Sequence, residues 1–272
     1  MFATLASAQQ PRGLKVFISV DMEGLAGVVS GDDVNSTKPD YPHYRAIMAG
    51  ETNAAIEGAF AAGATEVVVR DSHGDKRNLL PADVDPRARL LRGASSGPKN
   101  MMEGIDSSFD AVVFVGYHAK AGTPNAILEH TSTGNVVDIS INGVSLPEGG
   151  YNALVAGLYG IPVVFAAGDR ALVEQLRALL GPIGAVKEEI GGDASLGMSP
   201  KRAQEEIRRG VEQAIRDRAK RKPYRLSPPY TMVLKVKQER PLYAGATRAR
   251  EGEFTFTSND LLAVLAAFNA MK

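Results

Sequence analysis

The chain has 272 residues, an apolar fraction of 44% and 31 acidic side chains against 31 basic ones. These are globular proportions with room for a sizeable core, and the balanced charge leaves no overall field to draw the protein to nucleic acid or an anionic membrane. The absence of cysteine excludes disulfides, thiolate zinc and thiol catalysis, so any transition metal falls to carboxylates and to the four histidines, His43, His73, His118 and His130.

In the opening MFATLASAQQPRG, Ala6-Ser7-Ala8 stands before Gln9-Gln10 in the manner of a signal-peptidase site. The apolar stretch ahead of it is short and lacks a basic start. Residues 1–14 are expected to be a disordered tail or an export-signal remnant. A cytoplasmic location is the expectation, with a periplasmic or exported one as the alternative. No apolar run reaches the length of a membrane span.

From Lys15 onward strand-like and helix-like segments alternate. Val16–Val20 reads as a buried strand, followed by a polar loop and a helix from about His43 to Ala62 that stops at Gly63. TEVVVRDSH and DAVVFVGYHA read as the second and third buried strands, and NVVDISINGVSL as a hairpin turning at Asn142-Gly143. A helix near Tyr151 to Tyr159 leads to the β-rich IPVVFAAGD. Apolar strands separated by helices predict an α/β fold with a mostly parallel sheet covered on both faces, assigned here to residues 15–185.

The remainder, 186–272, reads as a smaller α+β lobe packed on the first or lidding it. It begins with a long charged helix capped by Ser199-Pro200, in a segment from Ser199 to Pro223 with nine basic residues against four acidic. Glutamates are interleaved with the basic residues and no aromatics accompany them, so a solvated face is expected and no nucleic acid partner. Two β-rich runs, TMVLKVKQ and EFTFTS, precede a closing helix, NDLLAVLAAFNAM.

Three of these strands end in chemistry. Asp21 and Glu23 follow the first, Asp71 and His73 the second, and His118 the third. Ligands of open α/β sheets bind outside the carboxyl ends of the strands. Read singly, each residue also has a structural role open to it: Asp21 as a turn cap, Glu23 as a solvated acid, Asp71 in an Asx-turn, and the histidines as core-edge imidazoles. His43 has no acidic or histidine neighbour and is read as structural, and Asp169 as a helix cap. Taken together, clustered carboxylates need a compensating cation, and imidazoles shift the preference from Mg²⁺ toward Zn²⁺ or another first-row metal. More than three or four such ligands imply two metals sharing a carboxylate, which is hydrolytic chemistry. The residues alone leave Glu148 and His130 without a role.

The motifs SVDMEG, DSHG, GYHA, the Glu129-His130 pair and PEGGYNA occur in an order and at spacings that resemble the D-aminopeptidase family of binuclear zinc peptidases. PVVFAAGD, LSP and FTFTSNDLL extend the likeness over nearly the whole chain from Lys15. The resemblance implies metal ligation by Asp21, Glu23, His73, His118 and Glu148, with Asp21 bridging two zinc ions per subunit. His130 would act near the attacking water as general base or proton shuttle. It implies hydrolysis of short peptides that begin with a D-residue such as D-alanine, in a homo-oligomer, a decamer of stacked rings with active sites facing an inner chamber. The residues around His130 depart from the family pattern, and Glu129 sets a further carboxylate beside it. Two rival readings are a Mg²⁺-dependent phosphatase, which the histidines on two further strands disfavour, and a peptide-binding protein with a purely structural zinc.

Overall fold

In a computed structural model, which describes residues 13–95, 97–183, 185–186 and 194–272, the elements run as follows. β1 (Leu14–Val20), α1 (Tyr41–Ala61), β2 (Ala64–Asp71), β3 (Arg89–Leu91) and β4 (Ala111–Tyr117) come first. The hairpin β5 (Val136–Ile141) and β6 (Val144–Ser145) is followed by α2 (Glu148–Leu158), β7 (Val163–Gly168), α3 (Arg170–Leu180) and β8 (Ala185–Val186). Last come α4 (Pro200–Arg216), β9 (Tyr230–Val236), β10 (Thr247–Arg250), β11 (Glu253–Ser258) and α5 (Leu261–Met271). The expected tail or signal remnant falls almost wholly outside the described residues.

Six strands form a parallel sheet in the order β3-β2-β1-β4-β7-β8. The apolar run of β1 is continuous because both faces are covered. Val16, Ile18 and Val20 pack with Val113 and Val115 under α1 and α4, while Phe17 and Phe114 turn to the opposite core. There Phe109 meets Phe17 edge-on at 5.3 Å between ring centroids. α1 ends as predicted at Gly63, whose φ of +94° is open only to a residue without a Cβ strain penalty.

The charged helix α4 starts at its predicted cap, with the Ser199 hydroxyl accepting the Arg202 N–H at 3.4 Å. It is amphipathic. Ala203, Ile207, Val211 and Ile215 are buried against α1, and the two backbones approach so closely that a Cβ on Gly58 would lie 2.4 Å from the Arg208 carbonyl oxygen. Its arginines stay at the surface in short-range pairs such as Arg209–Glu206 and Arg216–Glu212.

A second, antiparallel sheet has the order β10-β11-β9-β5-β6. The elements cross the expected division at 185/186: the hairpin β5–β6 pairs with β9 in the second sheet, whereas α4 covers the first. α2 is buried almost throughout between the sheets, in one core with Met232, Leu234, Phe254 and the apolar side of α5. Among the described residues no helix is long and apolar enough to cross a membrane.

Candidate metal centre

From β1 the chain runs outward through β2 and β3 on one side, and through β4, β7 and β8 on the other. The crevice at the carboxyl ends of β1 and β4 is therefore where the strand order reverses, the place where such sheets bind ligands. The two strand exits are laced together. The Asp21 N–H donates to the Val115 carbonyl and the Gly24 N–H to the Gly116 carbonyl, each at 2.8 Å. No side chain fits between them: a Cβ on Gly116 would lie 2.1 Å from the Asp21 carbonyl oxygen, and one on Gly24 would lie 1.9 Å from that of Tyr117. Gly116 also takes a φ of +71°. This close crossing brings Asp21 and Glu23 beside His118.

The other members arrive from further elements. The Ser72 N–H donates to the Val20 carbonyl and carries β2 far enough along β1 to deliver His73. Asp71 does not join the cluster; its carboxylate accepts from Asn78 Nδ2 at 2.8 Å and the Leu79 N–H at 2.7 Å, shaping the loop behind His73. His130 sits in a loop anchored by its own N–H to the Ala119 carbonyl. Leu128 and Ser132 on either side of it hold φ near +50° and +65°, strained values for non-glycine residues. Glu148 is the first residue of α2, where the helix dipole favours its negative charge, and it accepts the Ser132 N–H. Below the cluster Ser19 meets Ser72 and Tyr117 at 2.7 Å each, and Asn152 reaches Tyr117, a buried polar floor that fixes the crevice.

Apart from Asp71, the structure brings together the strand-end candidates Asp21, Glu23, His73 and His118 with Glu148 and His130, the two added by the family resemblance. Asp21, Glu23, Glu148 and His118 are buried. His73 Nδ1 is 3.2 Å from Asp21 Oδ1 and from Glu23 Oε2, and His118 Nε2 is 3.7 Å from Asp21 Oδ2 and 3.4 Å from Glu148 Oε1. His130 Nε2 lies 3.9 Å from Glu23 and 3.7 Å from Glu148, its ring stacked on that of His118 at 3.9 Å. Among the described residues the His130 ring meets Leu128, Glu23, Glu148 and His118, and Glu129 is not one of its partners. His43 is exposed and packs on Tyr44, and Asp169 caps α3 through the Leu172 N–H, both as expected.

Each of the three imidazoles has one nitrogen on a backbone carbonyl and the other aimed at the carboxylates. His73 Nε2 donates to Val34 at 3.0 Å, His118 Nδ1 to Ala119 at 3.0 Å and His130 Nδ1 to Leu128 at 2.9 Å. This outer bond sets the tautomer that leaves the inner nitrogen with a free lone pair, as in metal-binding histidines. His118 Nε2 is buried without a hydrogen-bond partner. Three sets lie within mutual reach of a single ion, with ligand atoms no more than 4.8 Å apart: Asp21, Glu23 and His73; Asp21, His118 and Glu148; and Glu23, His118 and His130. This donor set fits zinc.

Electrostatics point the same way. Burial raises the Asp21 carboxyl to about 6, aided by the Glu23 charge. Burial would also raise Glu23, but the His73 charge and hydrogen bond outweigh it and hold Glu23 well below the usual carboxylate range. In Glu148 burial is outweighed by His118 and His130, leaving it at about 2. Burial opposes protonation of His118, yet Glu148, Glu23 and Asp21 together lift it to about 10; His73 is raised well above the ordinary value, with Glu23 and Asp21 overcoming its burial. The carboxylates thus demand positive charge at the inner nitrogens, which protons or metal ions can supply.

A cleft of about 400 Å³ opens over the cluster. Among the lining residues that sequence reasoning did not single out are Lys76, Ser132 and Lys272. Lys76 stands three residues past His73, which was the one available signal. Lys272 comes from the far end of the chain and nothing local marks it.

An α/β sheet that gathers three carboxylates and three imidazoles at its switch point defines a metal-dependent hydrolase. The family model described as D-aminopeptidase, peptidase family M55, matches residues 14–270. The D-aminopeptidase of Bacillus subtilis (strain 168) is 37% identical over 225 residues, covering 82% of this chain and 81% of that protein. Among solved structures, the zinc-dependent D-aminopeptidase DppA from Bacillus subtilis, described as a self-compartmentalizing protease, matches with a TM-score of 0.90 and 30% identity. That match covers 94% of this chain and 96% of the other. The chain belongs to the D-aminopeptidase family of metallopeptidases.

Proposed function

We propose that the protein is a zinc aminopeptidase that removes the first residue of short peptides, D-residues such as D-alanine in particular, with two zinc ions per subunit. The observation that carries this reading is the set of three imidazoles whose outer nitrogens are tied to backbone carbonyls and whose inner nitrogens converge on three buried carboxylates. Asp21, Glu23 and His73 would hold one ion, and Asp21, His118 and Glu148 the other. Asp21 suits the bridging role because its two oxygens already face different histidines, Oδ1 toward His73 and Oδ2 toward His118. Bound zinc would polarise the scissile carbonyl and lower the pKa of a water, making hydroxide available near neutrality.

This division leaves His130 free. Its side chain is 27% exposed, against 1% for His118, so it alone of the two stacked rings meets the cleft. With Nδ1 held by Leu128, Nε2 is the atom that accepts a proton from the attacking water and passes it to the departing amine. Glu23 and Glu148, just under 4 Å from Nε2, stabilise the imidazolium between those transfers. The cleft has the volume of a small-ligand site and suits short peptides. Kinship with D-aminopeptidases supports the preference for a D-residue, and the relative described as self-compartmentalizing supports a homo-oligomer; the decamer of stacked rings is what the family resemblance implies.

The test is hydrolysis of matched D-alanyl and L-alanyl dipeptides by the metal-stripped protein, with and without added zinc. Cleavage restored by zinc and selective for the D-peptides is expected. Zinc-restored cleavage of L-peptides alone would overturn the stereochemical part, and no cleavage of either would overturn the reading.

A further inference from the structure

The cleft holds two ammonium groups that the proposed chemistry does not use. Lys76 Nζ donates to the Ser72 carbonyl at 2.5 Å, next to His73. Lys272 Nζ donates to Ser132 Oγ at 2.6 Å, and Ser132 in turn donates its N–H to Glu148. One lysine therefore stands at the rim of each proposed zinc triad, and both line the same cleft. Neither is ion-paired among the described residues, and each ammonium keeps protons for further acceptors.

The placement of Lys272 is costly unless an anion joins it. Burial lowers Lys272 to about 8, with Glu148 offsetting part of the effect and the Lys76 charge adding to it. Two zinc ions, the three carboxylates and a zinc-bound hydroxide would balance, so the two ammoniums, neither of them ion-paired among the described residues, would leave the cleft cationic. A group of opposite charge is the missing component. A dipeptide has one in the right place: its C-terminal carboxylate lies a single α-carbon beyond the scissile nitrogen. Each further residue carries that carboxylate away by about 3.5 Å.

On the two-zinc aminopeptidase reading above, we propose that Lys76 and Lys272 form a clamp for the free C-terminal carboxylate of the substrate, so that the site measures dipeptides. α5 brings Lys272 to the cleft, with Met271 and Phe268 buried in the core beneath it. The second sheet and α5 thereby contribute to specificity.

The experiment measures binding to the zinc-loaded protein of a reduced-bond analogue of D-Ala-D-Ala, as free acid and as carboxamide, by calorimetry. Loss of a charge-assisted contact corresponds to roughly a 10- to 100-fold loss of affinity, so the wild type should favour the acid by at least about 10-fold. Lys76→Met and Lys272→Met keep most of the methylene stem. Each should remove most of that preference while changing carboxamide affinity far less, and Lys272→Arg should restore part of it. Zinc content and melting temperature of the variants establish that the fold is intact. Equal wild-type affinity for acid and carboxamide, or an equal loss of both in the variants, would overturn the clamp. Acid-selective binding without peptide hydrolysis would support the clamp and overturn the aminopeptidase reading; hydrolysis with no acid preference would do the reverse.

Discussion

The proposed division of labour between His118 and His130 rests on two stacked rings that differ in depth, and it separates two substitutions. His118→Ala removes a buried ligand of the second triad, so zinc content should fall. His130→Ala should leave zinc content unchanged and lower turnover by about 10²- to 10⁴-fold. Zinc analysis and steady-state kinetics on the same preparations check both. If His130→Ala lost zinc, the third set, Glu23, His118 and His130, would be the true ligand group.

The raised imidazoles also make zinc uptake a proton-releasing event. His73 and His118 carry protons at neutral pH in the metal-free cluster, and both must lose them to coordinate, so binding should release roughly two protons per chain. Calorimetry in buffers of different ionisation enthalpy measures this. Without metal, the raised histidines stabilise the fold below their unfolded pKa of 6.5, and that contribution is lost as pH rises, for His118 through about 10. Asp21 adds a cost as pH rises from 3.8 through about 6. Glu23 and Glu148 act oppositely, stabilising above about 4.5 and losing the effect as pH falls, for Glu148 through about 2. The metal-free protein should therefore melt highest on the acid side of neutrality, and zinc should shift that optimum upward. A metal-free optimum above pH 8 would contradict this balance.

Between elements, the crossing of β1 and β4 should be intolerant of any side chain. Gly116→Ala places a Cβ against the Asp21 carbonyl at a left-handed φ, so it should cost at least about 2 kcal/mol and weaken zinc binding together. Ile207→Ala on α4 should cost a comparable amount, about 2–5 kcal/mol, and leave zinc affinity unchanged, because the α1–α4 contact lies on the face of the sheet away from α2 and its Glu148. Urea denaturation and zinc titration separate the two. The long elements were legible because burial on both faces writes unbroken apolar runs, as in β1, β4 and β7, and because caps such as Ser199-Pro200 and Gly63 carry their own signal. β3 and β10 were missed: they are short edge strands, and β10, Thr247–Arg250, is fully exposed, so no hydrophobic alternation marks it. α3 was marked only by its cap, Asp169, and its length was not read because it begins directly behind the strand-like VVFAAG. At the site, Asp21, Glu23, His73 and His118 could be found from strand ends alone. Glu148 and His130 needed the family resemblance, since a helix start and an irregular loop place them. Lys272 required the tertiary structure.

At the scale of the whole molecule, α2 and α5 join the two sheets through one core, and the site draws on both layers: the strand ends of the parallel sheet and the start of α2 supply the proposed ligands, while α5 brings Lys272. The cleft within one chain sets substrate size locally, and the proposed ring assembly would limit access further. Light scattering should give a mass near ten times the 28.9 kDa of the chain. A monomer that is fully active on dipeptides would remove the assembly from the account. The most direct test of the central claim is a zinc titration of the metal-stripped protein, followed by D-Ala-D-Ala hydrolysis. Activity rising to a plateau at two equivalents per chain is the predicted result. Full activity at one equivalent, or none at two, would contradict a shared Asp21 bridging two catalytic ions.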